Sequence, residues 1–484
     1  MARKAKAPVA KKPKVKTTKI SKMAAFNGDD LLDDIQHEVG LVSTMASHTK
    51  RVSTGSLSLD LILSGGIVPG GWYTFFGGEQ SSKSTLAMTQ IAQAAIKKQA
   101  DIEAGRDAPL IAYFDYEGSF SPDYFMSIAR SLGFKGTIQD MFGIQDDKGV
   151  YIKKGLVRRF QVNIGELFFA FQRKLQRELP DKMYRQGKWW KVYPAKLTDK
   201  KGKSKAVNEN LKQYADSKLL KETGKYWIEC EDGSPQAILV VDSYPAMLPK
   251  NVDEREDDNE AIAEQARMFS TQLKRVKGAM EPKKVVVMGV NQLRAVPMAM
   301  YGPSEAEPSG NALKFFSDAR LKMVSRSSVF GIKGKEEREE SVQYKGKKDT
   351  YRYVNVKTIK NKLSVPDLET WLRIWVRDGK GEAHGYDPVF DSWYFMDQTG
   401  VATGNRNKMT LDLSKIGVKD WPKKMKPISF IEMKTLILGN KEEITKTLKK
   451  IGHKGKPFHL RKKLIAYMES GQAVKDYFDV LKDS

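Results

Sequence analysis

The chain has 484 residues, with 83 Lys+Arg against 59 Asp+Glu for a formal net charge of +24, and one cysteine, Cys230. That length allows one large domain with smaller attachments, and the charge favours a polyanionic partner. A lone cysteine excludes an internal disulfide and, without a Cys-x-x-Cys pair, argues against a structural zinc site. No run approaches the ~18 apolar residues of a membrane span and no apolar secretion segment is evident, so an intracellular compartment, cytoplasmic or nucleoid-type, is expected.

Residues 1–23 are basic, carry no acidic residue and have little to bury, so a disordered tail is expected. Their Lys and Pro lack the amphipathic Arg spacing of a mitochondrial leader. The tail reads either as a solvated arm or as a nuclear-import or nucleic-acid arm. Residues 24–50 follow as a linker with a short amphipathic helix at 28–38, where Leu31, Leu32 and Ile35 share one side. That helix cannot bury its face alone and needs a surface to dock on, in its own core or on another subunit. A capped helix is predicted within Ser53 to Leu63, then a glycine-rich turn from Gly65 to Gly71.

The apolar run Trp72 to Phe76 reads as a buried strand, and the residues after Lys83 as a helix, with apolar positions three and four apart through Ala94. Between them lies Gly77-Gly78-Glu79-Gln80-Ser81-Ser82-Lys83-Ser84-Thr85. A strand, a glycine-bearing turn and a helix opening on Lys-Ser make a phosphate-binding loop. Its free backbone N–H groups face an anion, and the helix start adds roughly half a unit of positive charge. Lys83 would reach the terminal phosphates and Ser84 would hold Mg²⁺. Ser82 stands where the signature has glycine. At a helical backbone position this costs little; at positive φ it strains or reshapes the loop.

A second core strand, Pro109 to Phe114, ends on Asp115-Tyr116-Glu117, where carboxylates of an open α/β sheet meet ligands. Glu117 is a candidate to orient or deprotonate the water that attacks a γ-phosphate, or else an edge carboxylate in solvent. Tyr124 opens the next helix, placed either to stack on a base or to pack. Residues 164–179 have helical spacing. Residues 180–235 lose periodicity and form an insertion whose Lys residues and Trp189-Trp190 pair suit either a nucleic-acid platform or a satellite mini-core. The strand Ala237 to Val241 ends on Asp242-Ser243. An apolar run closed by Asp is the second half of a phosphate-loop nucleotidase, with Asp242 completing the Mg²⁺ site.

Residues 251–260 are an acidic connection leading to a helix through Arg267. The strand Lys284 to Val290 ends on Asn291-Gln292, and residues 293–309 read as a mobile loop at the ligand edge. A strand from Tyr353 to Ile359 runs into Lys360-Asn361-Lys362, two ammonium groups on one side of an extended segment. From about residue 385 the composition shifts. Four helical patterns follow near 428–438, 441–451, 457–470 and 473–482, read as a small basic domain over 385–484 after a core over 51–384.

Taken in order, Ser53 to Leu63, Gly77 to Thr85, Asp115-Tyr116-Glu117, Val240 to Ser243, Val290 to Arg294, Gly310 to Phe315 and Lys360 to Lys362 resemble the RecA family of homologous-recombination ATPases, including its phage-encoded UvsX-like members. The resemblance covers most of residues 50–380. Its most specific pieces are Gly-Asn-Ala-Leu-Lys-Phe and Lys-Asn-Lys, which generic nucleotidases lack.

The resemblance implies an α/β fold, a RecA-like phosphate-loop core around a mostly parallel sheet, with the docking helix before it and a small helical domain after it. It implies ATP and Mg²⁺ at Gly77 to Thr85 and Asp242, Tyr124 stacked on adenine, Glu117 activating water, and Gln292 sensing the γ-phosphate. Lys360 and Lys362 would reach a neighbour's ATP, so the site would be complete only in a filament, with Lys314 and Phe315 at the subunit contact. The loop 293–309 resembles the second DNA-binding loop, and 251–262 stands in the place of the first. DNA contacts would come from Arg267, Arg294, Ser309, Gly310 and Asn311.

Two departures stand out. The first DNA loop is more acidic than usual, and the chain lacks the acidic tail of bacterial members. The implied activity is a DNA-dependent ATPase that polymerises on single-stranded DNA and promotes pairing with double-stranded DNA, with single-strand-binding and mediator proteins as further partners and no membrane. The alternatives are a ring helicase or RadA-like branch-migration enzyme, disfavoured by the missing amino-terminal zinc motif, and a filament-forming coat protein with little hydrolysis.

Overall fold

Four apolar runs, each the length of a strand, lie side by side. They carry apolar residues at successive positions because both of their faces are covered. The computed structural model describes residues 50–482 except 195, 199–203, 207–208, 254–260, 296–304, 308–309, 327–328, 331–335, 338–342, 345–346, 349, 378–384, 406–407, 420 and 423–424. The basic tail, the docking helix at 28–38, the acidic connection past Asp253 and most of 293–309 therefore lie outside the described residues.

A nine-stranded sheet organises the rest. In chain order its strands are β1 (Trp72–Gly77), β2 (Leu110–Asp115), β3 (Arg158–Gln161), β4 (Ala237–Asp242), β5 (Val285–Gln292), β6 (Ala319–Arg326), β7 (Thr350–Asn361), β8 (Glu369–Arg377) and β9 (Gly385–Tyr386). Across the sheet they run β9-β8-β7-β6-β1-β5-β4-β2-β3. Strands β1 to β6 pair in parallel with one another. Strands β7 to β9 extend the sheet antiparallel. This is the mostly parallel α/β core expected from the sequence.

Alternation along each strand divides the core. Ile238 and Val240 of β4, with Val286, Met288 and Val290 of β5, face one side, where they meet α2 (Lys83–Glu103) through Leu86, Ile91 and Ala95. Ala237, Leu239 and Val241, with Val285 and Val287, face the other side. There Phe168 and Phe169 of α4 (Gly165–Glu178) and Phe269, Leu273 and Val276 of α5 (Ala261–Lys277) cover them. Between these elements lie α1 (Leu57–Ile62), before β1, and α3 (Pro122–Ser131), after β2; α6 (Asn311–Phe316) precedes β6.

The carboxyl-terminal helices are α7 (Pro388–Gln398), α8 (Phe430–Leu438), α9 (Lys441–Lys450), α10 (Leu460–Glu469) and α11 (Gln472–Lys482). Capping boxes start α8 at Ser429 with Glu432 and α9 at Asn440 with Glu443, each satisfying orphan N–H groups of a first turn. The apolar cluster on the α2 side continues unbroken into these helices, through Phe390, Leu436, Leu464 and Tyr477. Residue 385 itself begins β9. The change in composition there is not a break in packing.

The insertion folds as a three-stranded antiparallel sheet, Asp181–Arg185, Lys188–Pro194 and Lys225–Cys230, with a short helix at Ser217–Thr223. Trp190, Val192, Leu219 and Trp227 form its own small core. Trp189, on the opposite strand face, packs over Gly233 and below the Lys284 ammonium. Both tryptophans are enclosed, so the pair offers no open stacking platform. The mini-core reading is the one the structure supports. The insertion sits on the edge of the sheet away from the phosphate loop, tied by Lys191 to Asp107 and by Lys182 to Ser234, residues that precede β2 and β4. Among the described residues no helix is long and apolar enough to cross a membrane.

Candidate nucleotide site

Parallel register brings the ends of four strands together. Gly77 of β1 lies beside Gln292 of β5, and Asp242 of β4 beside Asp115 of β2. The loop after β1, Glu117 just past β2, Asp242-Ser243 and Gln292 thus share the carboxyl edge of the sheet, where such folds bind ligands.

The loop begins at a position that only glycine fits, since a Cβ on Gly77 would stand 2.1 Å from the Met323 carbonyl oxygen. Gln80 and Ser82 have φ of 54° and 63°, a left-handed geometry costing a non-glycine residue about 1–2 kcal/mol. Ser82 therefore occupies the strained alternative. It makes no side-chain cap at the start of α2, leaving the first N–H groups of that helix available to an anion. Lys83 Nζ donates to the carbonyls of Gly77 at 3.1 Å and Gly78 at 2.6 Å, and to Ser81 Oγ at 3.1 Å. Burial lowers the Lys83 pKa, while Asp242, Glu117 and Glu79 work to raise it.

Ser84 Oγ donates to Asp242 Oδ1 at 3.1 Å, and the Tyr113 hydroxyl donates to Oδ2 at 2.6 Å. Burial, reinforced by Glu117 and Asp115, pushes the Asp242 carboxyl up to about 6 against the pull of the Tyr113 and Ser84 hydrogen bonds. A hydroxyl and a carboxylate oxygen at this separation are hard oxygen donors of the kind Mg²⁺ takes together with phosphate and water, so the residues present fit the ion.

Glu117 Oε1 accepts from the Ser243 hydroxyl and, at 3.0 Å, from the Gln292 side-chain amide. Tyr124, in the first turn of α3, shares a 2.9 Å hydrogen bond between its hydroxyl and Thr85 Oγ1. Its Ser121 cap fixes that turn. Glu117, Gln292, Asp242, Ser84 and Lys83 are thus assembled in one protomer, with Tyr124 joined to the loop through Thr85.

Lys360 and Lys362 are engaged elsewhere. Lys360 Nζ donates to the carbonyls of Lys314 at 2.5 Å and Phe315 at 2.9 Å, and Lys362 Nζ to Phe315 at 3.3 Å. Both cations therefore cap the carboxyl end of α6, a favourable place for positive charge. Burial, then the neighbouring Lys362, lowers the Lys360 pKa. The Phe315 ring beside them is 72% exposed.

The expected DNA contacts are dispersed. Arg267 is exposed on α5 and Asn311 at the start of α6. Gly310, at φ 71°, leads into α6 against Ala266, which makes the Arg267 turn and Gly310-Asn311 neighbours. Arg294 is exposed and its backbone pairs with Ala306. Ser309 lies outside the described residues.

Two features had no sequence signal. Arg352 of β7 donates to the Gln80 carbonyl at 2.5 Å and approaches Gln80 Oε1 at 3.5 Å. Buried Glu307 accepts from the Asn291 amide at 2.7 Å and pairs with Arg320, whose guanidinium lies 4.4 Å from the Phe76 ring centre. The segment after β5 is thereby tied to β6 and β1.

The model of the RecA N-terminal domain matches residues 231–380, and that of Rad51 matches residues 46–140. Together with the relatives below, these matches support a RecA-family assignment. The two matches hold the phosphate loop, Glu117, Asp242, Gln292 and the Lys360–Lys362 pair, and leave residues 141–230, with most of the insertion, unmatched. Among similar proteins, the Mesoplasma florum Protein RecA is 31% identical over 205 residues, 42% of this chain and 57% of that protein. The Aquifex aeolicus Protein RecA is 27% identical over 340 residues, covering 70% of this chain and 69% of its own length. That of Pseudomonas fluorescens is 24% identical over 382 residues, covering 76% and 80%.

Proposed function

We propose that this RecA-family protein is an ATP-dependent recombinase that polymerises on single-stranded DNA and promotes homologous pairing and strand exchange. The observation that carries the reading is the Gln292–Glu117 hydrogen bond at the carboxyl edge of the sheet, one strand-end away from the Lys83 loop and the Ser84–Asp242 pair.

In this reading Lys83 and the loop N–H groups hold the terminal phosphates of ATP, giving up the loop carbonyls Lys83 now caps. Ser84 and Asp242 hold Mg²⁺, which neutralises phosphate charge when bound. Glu117 orients the attacking water and accepts its proton. Gln292 binds Glu117 on one side and opens the chain into residues 293–309 on the other. A change at the γ-phosphate end thus bears directly on the segment expected to meet DNA. Lys360 and Lys362, beside exposed Phe315, supply positive charge to the nucleotide of an adjacent protomer. The exposed ring and the paired cations support a subunit contact there.

Electron microscopy with single-stranded DNA and a slowly hydrolysed ATP analogue, run alongside phosphate release with and without DNA, tests the proposal. Helical filaments and DNA-stimulated release are expected. Closed hexameric rings would overturn it in favour of a motor, and filaments without stimulated release in favour of a coat protein.

A further inference from the structure

Arg352 reaches the tip of the phosphate loop from β7, across the intervening strand β6. A guanidinium carries five N–H donors in a planar fork. Its nitrogens Nη1 and Nη2 meet the carbonyl and side-chain oxygens of Gln80. No other acceptor is assigned to it among the described residues, so donors remain over. Burial raises the Tyr124 pKa, and the Thr85 hydrogen bond and then the Arg352 charge work against that rise. The guanidinium therefore lies at the tip of the loop, against Gln80, three residues before Lys83.

We infer that Arg352 is a nucleotide-binding residue supplied by the same protomer, its spare donors bonding a phosphate oxygen of a nucleoside triphosphate while it holds Gln80. The inference rests on the reading of the loop as a nucleotide site. Guanidinium suits this role because it stays charged, is weakly hydrated and makes charge-assisted bonds to phosphate that outlast a point contact. The same group keeps Gln80 in its left-handed geometry at φ 54°. Loop shape and phosphate charge are thus read by one side chain.

The test is equilibrium titration of the full chain with a fluorescent ATP analogue and Mg²⁺, without DNA, for wild type, Arg352→Lys, Arg352→Gln and Arg352→Ala. Gln keeps a donor for the Gln80 carbonyl but removes the charge. If Arg352 bonds phosphate, Gln and Ala should both weaken binding about tenfold, with Lys between them and wild type. The gap between wild type and Gln should narrow at high salt. In turnover, the KM for ATP should rise more than kcat falls. Gln binding as tightly as wild type, with only Ala weakened, would reduce Arg352 to a brace for the loop and overturn the inference. A wild-type protein without affinity for the analogue would instead overturn the nucleotide-site reading. Matching thermal midpoints of the nucleotide-free proteins establish that each variant is folded.

Discussion

The Gln292 side-chain amide donates to Glu117 Oε1 at 3.0 Å, although the two residues are 175 positions apart. They meet because β2 and β5, separated by β4, end on one edge of the sheet. The contact links the candidate water-activating carboxylate to the root of the segment expected to bind DNA. In the proposed reading, occupancy of either place would act on the other through this hydrogen bond and the end of β5.

Glu117→Gln keeps the shape of that contact and removes the base. Hydrolysis should fall about 10²- to 10⁴-fold, the usual share of general-base catalysis. Nucleotide affinity should stay within about threefold of wild type, since Lys83 and the loop N–H groups are untouched. Single-turnover phosphate release and nucleotide titration separate the two quantities, and an equal loss in both would remove Glu117 from the chemistry.

Ser82 gives a second prediction from backbone geometry. At φ 63° glycine is unstrained and a β-branched residue is an outlier. Ser82→Val should cost about 1–3 kcal/mol and weaken nucleotide binding. Ser82→Gly should be neutral to slightly stabilising, because relief of strain is offset by a freer unfolded chain. Chemical denaturation of the three proteins orders them; a stable Val variant would show that the loop is easily reshaped.

These residues differ in how visible they are in the sequence. Glu117 and Asp242 stand out because each follows an apolar run that must be a strand, and a carboxylate at such an end is expensive to leave in a core. The last four helices are legible from their periodicity and from caps such as Ser429 and Asn440. Trp189 and Trp190 are not legible, because adjacent strand residues face opposite ways and composition does not say which faces are covered. Arg352 resembles its neighbour Lys357 in sequence. Only the strand order brings it to Gln80, 272 residues earlier. Residue 385 misleads in the other direction, since a change in composition coincides with a chain that stays in the sheet as β9.

Asp242 supplies a pH prediction. Burial raises its carboxyl from 3.8 to about 6, so the folded protein holds this proton more tightly than the unfolded chain. Its contribution to stability is therefore greatest in acid and declines as pH rises from about 4 to 6, by about 3 kcal/mol at most. Binding of Mg²⁺ with nucleotide has the opposite slope. It needs the carboxylate and should weaken up to tenfold per unit below pH 6. Asp60, also buried and pushed up to about 7, titrates in the same sense as Asp242. The difference between wild type and Asp242→Asn isolates the Asp242 share. Unfolding and nucleotide titrations from pH 4 to 8 should show the two slopes crossing, and parallel slopes would contradict the metal-site assignment.

Lys362→Ala addresses the proposed subunit contact. The variant loses one weak donor to the Phe315 carbonyl, a local cost of about 0.5 kcal/mol, while Lys360 still caps α6. DNA-stimulated hydrolysis should be abolished, with nucleotide affinity of dilute protomers within about twofold of wild type. A large loss of affinity in dilute protomers would mean that the lysine serves its own loop.

The pairing of Arg461 with Asp391 makes the last prediction, which concerns the joining of the two ends of the described chain. Asp391 accepts from Ser56 Oγ at 2.6 Å and from the Leu57 and Ser58 amides at 2.9 and 3.1 Å, so it anchors the start of α1. Arg461 of α10 donates to Asp391, Ser392 and the Gly55 carbonyl. Removing either partner of a buried pair typically costs about 3–5 kcal/mol, mostly through the charge left behind. The two losses should not be equal. In Arg461→Ala the carboxylate keeps three donors from α1, placing the cost near the low end. Asp391→Ala leaves the guanidinium with neutral acceptors only and takes the acceptor from the Leu57 and Ser58 amides at the start of α1, placing it near or above the high end. Because the same apolar cluster runs from α1 into α10, urea unfolding of wild type should be a single transition, with Asp391→Ala the less stable variant. Separate transitions for core and carboxyl-terminal helices in wild type would mean that this contact does not couple them.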